Sequence, residues 1–109
     1  MDVFDEIERS RIWYLKITLI KKLEKLGFVK DVVNEAENKY GVCYRREVSE
    51  FNYIQRLDIL HKANGRHLIQ SYQEGVNSDG FNNAVGLTYE ETKLAMRKYR
   101  QLKRKYRWK

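Results

Sequence analysis

The clearest periodic pattern lies in residues 2–26, where apolar side chains recur at intervals of three and four. This spacing places them on one face of a helix. Asp2 is a suitable N-cap, and Gly27 is suited to the left-handed conformation that ends a helix, with Phe28 folding back on Leu23. We therefore predict a long amphipathic helix with a stripe of Ile12, Leu15, Leu19, Leu23 and Leu26, widened by Trp13, Ile17 and Ile20.

A second helix is predicted near the C-terminal end. Thr88-Tyr89-Glu90-Glu91 has the capping-box pattern, in which the Thr88 hydroxyl and the Glu91 carboxylate each accept a hydrogen bond from the other residue's backbone. Acidic residues at its start and basic residues at its end both suit the helix dipole. Its apolar seam is narrow and consists of Ala95, Tyr99, Leu102 and Tyr106.

The middle of the chain predicts shorter helices over 31–40, 49–63 and 66–74, while 42–48 is ambiguous between an extended piece and the start of a helix. Asn64-Gly65 is a signal both for a helix end and for a hairpin turn. We interpret it as a helix end because its flanks lack alternation of polar and apolar residues. Residues 75–87 are rich in Gly and Asn and predict a long loop, either functional or mobile.

Together these elements predict an all-α fold, a small compact helical bundle of four to five helices with a long N-terminal helix and a basic C-terminal helix. The absence of proline agrees with this, because proline is the strongest helix breaker. We expect a single domain, with 1–95 as the helical body and 96–109 as the basic end of the last helix.

Charge is unevenly distributed along the 109 residues, which carry 22 Lys and Arg against 15 Asp and Glu. Residues 96–109 hold eight of the cations and no acid, so the remainder has 14 basic and 15 acidic residues. A nearly neutral body with a strongly basic end indicates an anionic partner, either nucleic acid or an acidic protein surface. A solvated charged helix face is the plainer alternative.

Residues with catalytic or metal-binding potential form no specific pattern. His61 and His67 are six residues apart, which does not place them on one helical face, and a metal site there is a weak hypothesis. Cys43 lies beside Arg45 and Arg46, which can activate a thiol, but a lone cysteine is more often a small buried apolar residue. We expect neither an enzyme nor a cofactor.

The segment 50–74 also invites a helix-turn-helix interpretation. If Gly65 is the turn glycine, however, the positions that should pack between the two helices are polar, so the match to this DNA-reading motif is poor.

The function predicted from these features is nucleic-acid binding without catalysis, through backbone contacts of a basic, aromatic C-terminal helix. Arg and Lys attract phosphates, and an exposed aromatic ring stacks on bases. We expect Tyr99 to belong to the buried seam and Trp108 to be an exposed contact. The predicted binding residues are Arg97, Lys98, Arg100, Lys103, Arg104, Lys105, Arg107, Trp108 and Lys109.

An alternative is a small interaction protein that inhibits or adapts a nucleic-acid-handling enzyme by occupying its groove. The composition is typical of AT-rich bacterial or phage genomes, where regulators of both kinds occur. Attachment to a membrane is disfavoured because the apolar seam is narrow and mostly tyrosine. One cysteine and no signal peptide predict a cytoplasmic protein. The wide apolar surface of the first helix fits either central burial or a homodimer seam.

Overall fold

The computed structural model describes residues 18–30, 37–62, 64–75 and 83–109. Within them, helix α1 covers 18–25, and four strands follow: β1 (Val29–Lys30), β2 (Gly41–Val48), β3 (Tyr53–His61) and β4 (His67–Gln73). Helix α2 covers Tyr89–Tyr106. The strands form one antiparallel sheet in the order β1-β2-β3-β4, so each strand pairs with its neighbour in sequence.

The all-α prediction is therefore wrong: the described residues form a small fold of a four-stranded antiparallel sheet with two helices. The helices predicted over 49–63 and 66–74 are strands β3 and β4, and the ambiguous segment 42–48 lies in β2. Of the helix predicted over 31–40, residues 31–36 lie outside the described part, and 37–40 form a turn and a bridge.

The Asn64-Gly65 pair is a hairpin turn and not a helix end. Lys62 and Arg66 are joined across it by a backbone hydrogen bond of 2.9 Å, and Gly65 has a φ of +81°. Strands β3 and β4 pair directly through this turn, from His61 opposite His67 to Gln55 opposite Gln73. This hairpin also excludes the helix-turn-helix interpretation of 50–74.

Two predictions at helix ends are confirmed. Gly27 has a φ of +91°, and its N–H and that of Phe28 donate to the carbonyls of Glu24 and Leu23, as expected for a glycine that ends α1. Thr88 and Glu91 form both hydrogen bonds of the capping box, and α2 begins at the next residue, Tyr89. The part of the predicted first helix over 2–17 lies outside the described residues.

Helices α1 and α2 share one core with a face of the sheet. Val42 and Tyr44 of β2 lie opposite Ile59 and Leu57 of β3, and these four side chains are almost fully buried. Burial of apolar side chains such as these supplies most of the free energy of folding. The helices and the connecting residues complete the cluster with Leu19, Leu23, Phe28, Leu94, Ala95, Leu102 and Trp108.

The opposite face of the sheet holds a buried polar network. Asp58 is 3% exposed, and one of its oxygens accepts hydrogen bonds from the Tyr72 hydroxyl at 2.6 Å and the Gln70 amide at 3.0 Å. Arg56 donates to the Cys43 sulfur at 3.0 Å and pairs with Glu74 at 3.1 Å. These contacts offset part of the cost of burying polar groups inside a sheet.

The end of the predicted loop 75–87 extends this sheet. Gln73 donates to the carbonyl of Asn83 at 2.8 Å, and Val85 donates to that of Ser71 at 3.0 Å. Residues 83–85 thus lie along the free edge of β4 and lead directly into the cap of α2. Residues 76–82 of the predicted loop lie outside the described part of the chain.

Candidate nucleic-acid interface

The N-terminal turn of α2 is fixed to the sheet by Arg46. The Arg46 guanidinium group donates hydrogen bonds to the Glu91 carboxylate, to the Gln55 amide oxygen at 2.6 and 3.1 Å, and to the Leu26 carbonyl at 3.2 Å. Burial alone would raise the pKa of Glu91, but hydrogen bonds from Thr88 and Arg46 lower it overall. The carboxylate therefore stays ionised and holds the start of the helix against β2.

The C-terminal half of α2 is fixed by Glu37. The Glu37 carboxylate lies 2.7 Å from the ammonium of Lys98 and 2.6 Å from that of Lys105, with Lys30 at 3.5 Å. Burial acts to raise the pKa of Glu37, but the hydrogen bonds from Lys105 and Lys98 outweigh it and lower the pKa to about 2. Two of the predicted binding cations are thus engaged inside the protein.

Trp108, just after the end of α2, packs against the β3–β4 hairpin. Its ring lies nearly parallel to those of His61 and His67, with centroid separations of 5.2 and 5.4 Å, and its indole N–H donates to the Lys39 carbonyl at 2.8 Å. Arg107 adopts the left-handed conformation that ends α2, which turns the chain so that this indole reaches the core. The expectation that Trp108 is exposed is wrong, since it is only 5% exposed.

The remaining cations line the solvent side of α2. Arg97 is half-buried, whereas Arg100, Lys103 and Arg104 are exposed. Arg107 and Lys109, which follow the helix, are exposed as well. Among the described residues, no ion pair involves any of these six side chains. Their positive charge is therefore available to an outside partner.

Lys93 extends this row of cations toward the start of α2, although it was not among the predicted binding residues. The spacing from Lys93 to Arg97, Arg100 and Arg104 is four, three and four residues, which places all four on one helical line. Lys93 is exposed, and its ammonium lies 5.2 Å from the centre of the Tyr89 ring. We call these four residues the basic ridge. Helical spacing alone, applied one turn earlier in the chain, would have found Lys93.

The ridge has the length of several phosphate steps. From Lys93 to Arg104 the helix rises about 16 Å at 1.5 Å per residue. Phosphates succeed one another at about 3.4 Å of axis on each strand of duplex DNA, so this length corresponds to about five base-pair steps along the axis. The arrangement therefore offers a line of positive charge to a phosphate backbone.

The nine predicted binding residues therefore fall into two groups. Six remain accessible along or beyond the solvent side of α2: Arg97, Arg100, Lys103, Arg104, Arg107 and Lys109. The other three hold the fold: Lys98 and Lys105 pair with Glu37, and Trp108 lies in the core. Lys105 is the intermediate case, because its side chain is 51% exposed despite this pair.

Two further kinds of feature are absent from the described part of the chain. No group of three or more His, Cys, Asp or Glu side chains converges there. None of the described helices is both long and apolar enough to cross a membrane.

Comparison with known proteins gives no relative. The chain matches no protein-family model, no curated protein and no solved structure.

Proposed function

We propose that this protein binds nucleic acid without catalysing a reaction on it, by placing the basic ridge of α2 against the sugar-phosphate backbone. The observation that carries the proposal is the row of four cations, three exposed and one half-buried, on one line of a helix that is fixed at both ends. Such a row attracts phosphates without ordering a flexible tail, which reduces the entropic cost of binding.

The burial of Trp108 changes the expected mode of binding. A ring that is packed on two histidines does not stack on an unpaired base, so binding depends on charge and on the shape of the backbone. We therefore expect little sequence preference and a strong dependence on salt concentration. A cytoplasmic location, where Cys43 remains a thiol, is part of the same proposal.

The proposal is tested by fluorescence anisotropy with labelled duplex DNA, single-stranded DNA and RNA. The variant R97Q/R100Q/R104Q removes three ridge charges, and K21Q/K22Q/K25Q removes three exposed charges of α1 as a matched control. We expect the ridge variant to lose most of the affinity and the control to retain most of it. Since these side chains are surface groups, folding should change by no more than about 0.5 kcal/mol per site.

Substitution is a better test here than truncation. Removing 96–109 would also remove Lys98, Leu102 and Trp108, which are buried, and loss of binding would then report unfolding. Equal loss of affinity in the ridge and control variants would show that net charge alone is responsible. Absence of binding to any nucleic acid at moderate salt would contradict the proposal and favour an acidic protein surface as the partner.

A further inference from the structure

The β3–β4 hairpin brings two histidines face to face. His61 and His67 are directly paired across the two strands, and their Nδ1 atoms are 3.2 Å apart. The six-residue spacing that separates them on a helix makes them partners in a hairpin. Both side chains are partly exposed, so ions in solvent have access to them.

The tautomer of His67 follows from the hydrogen-bond partner of its second ring nitrogen, Nε2. Nε2 of His67 lies 3.1 Å from the main-chain oxygen of Lys109, which can only accept a hydrogen bond. Nε2 therefore carries the proton, and in the neutral ring Nδ1 presents a lone pair toward His61. When no metal ion is bound, the Nδ1–H of His61 then donates a hydrogen bond to this lone pair.

The same geometry matches two ligands of one metal ion. Zinc binds histidine nitrogen at about 2.0–2.1 Å, and two such bonds at a tetrahedral angle place the nitrogens about 3.3 Å apart. The observed separation of 3.2 Å agrees with this value. We propose that His61 and His67 form a two-histidine Zn²⁺ site in which both Nδ1 atoms are ligands.

Binding requires only a change of tautomer in His61. Its proton moves from Nδ1 to Nε2 by exchange with water, and the freed Nδ1 lone pair binds the ion in place of the hydrogen bond. Water completes the coordination, because the described residues offer no third His, Cys, Asp or Glu at this place. No oxidation or reduction takes place.

The surroundings of the histidines support a ligand role. Histidine ligands usually donate their other ring N–H to a carbonyl or carboxylate, as His67 does to Lys109. Trp108 lies nearly parallel to both rings, at 17° to His61 and 12° to His67, and restricts their rotation. With two protein ligands the site should be weaker than a four-ligand structural site, and it would join β3 to β4 within the hairpin.

Isothermal titration calorimetry with ZnCl₂ tests the site, with MgCl₂ as the metal control. The proposal predicts one Zn²⁺ per chain, loss of binding in His61→Gln and in His67→Gln, and retained binding in Lys62→Gln, an exposed neighbour of the pair. The variant R97Q/R100Q/R104Q should also retain zinc binding, so this result is independent of the proposed nucleic-acid function. Circular dichroism establishes that each variant is folded.

A second measurement uses the unaltered protein. In ¹⁵N spectra of the imidazole rings, Zn²⁺ should shift the Nδ1 resonances of both histidines together, at the same stoichiometry. The proposal is overturned by no zinc binding, by unchanged binding in either histidine variant, or by shifts confined to Nε2. One ion per two chains with formation of a dimer would also overturn it, because the site would then lie between molecules.

Discussion

At the scale of single residues, Glu37 is a charged group that holds α2 in position. It lies in hydrogen-bonding contact with Lys98 and Lys105, and the Tyr106 hydroxyl donates to it at 3.3 Å. Lys98 is buried, and burial lowers its pKa despite the opposing effect of Glu37. Without this carboxylate, a buried ammonium would lose its main compensating charge.

Glu37→Gln should therefore destabilise the protein in a pH-dependent way. The pKa of Glu37 is about 2 in the folded protein, against an ordinary value of 4.5 in the unfolded chain. The stabilisation that the ionised carboxylate provides is therefore complete above pH 4.5 and is lost as the pH falls toward 2. We expect a loss of about 2 kcal/mol in the free energy of unfolding at pH 7, after allowance for screening by solvent.

Urea denaturation of the wild type and this variant between pH 2 and pH 7 measures the effect. The exposed residue Glu24 of α1 provides the control, and Glu24→Gln should follow the wild type throughout. A constant difference between the wild type and Glu37→Gln from pH 7 to pH 2 would contradict the account.

At the scale of elements, α2 is the part that local sequence determines best. Thr88→Ala removes the hydroxyl that accepts from the Glu91 N–H at 3.1 Å. Loss of an N-cap of this kind typically costs about 1 kcal/mol. Thermal unfolding should show this loss for Thr88→Ala but not for Thr92→Ala, which changes an exposed threonine one turn later. Equal effects of the two substitutions would mean that the cap contributes nothing specific.

The helix ends could be predicted because their signals are local. The Thr88–Glu91 box and Gly27 each act on neighbouring backbone groups, so the residue types alone are sufficient. The end of the predicted first helix and the start of the last one follow from such signals. Helical spacing of three and four residues likewise identifies the basic ridge when it is applied from Lys93 onward.

The sheet could not be predicted from alternation because both of its faces contain buried polar groups. In β3, Gln55, Arg56 and Asp58 are all buried, so polar and apolar residues do not simply alternate along the strand. Their partners Ser71, Glu74 and Tyr72 lie 16, 18 and 14 residues away in sequence. Only the tertiary pairing shows that the polar groups are compensated.

Contacts between residues distant in sequence also explain the wrong predictions at the candidate site. Glu37 is 61 residues from Lys98, and Trp108 meets His61 and His67 only when β4 folds back on β3. A run of cations in the sequence therefore predicts an anionic partner, while contacts distant in sequence decide which of these cations remain accessible.

At the scale of the whole molecule, a sheet and two helices form a rigid support for one charged surface. The core fixes one side of α2, Arg46 and Glu37 fix its two ends, and the solvent side presents the basic ridge. In the proposed function, nucleic acid therefore binds to a preorganised helix and not to a flexible tail. Each phosphate contact that the ridge makes should release condensed counterions from the nucleic acid.

The salt dependence of duplex DNA binding tests this claim most directly. Each neutralised phosphate contributes about −0.9 to the slope of log K against log salt concentration. Relative to the wild type, R97Q/R100Q/R104Q should therefore reduce the magnitude of the slope by about 2.7, whereas K21Q/K22Q/K25Q should leave it nearly unchanged. Equal slopes for the wild type and the ridge variant would contradict the assignment of the interface to α2.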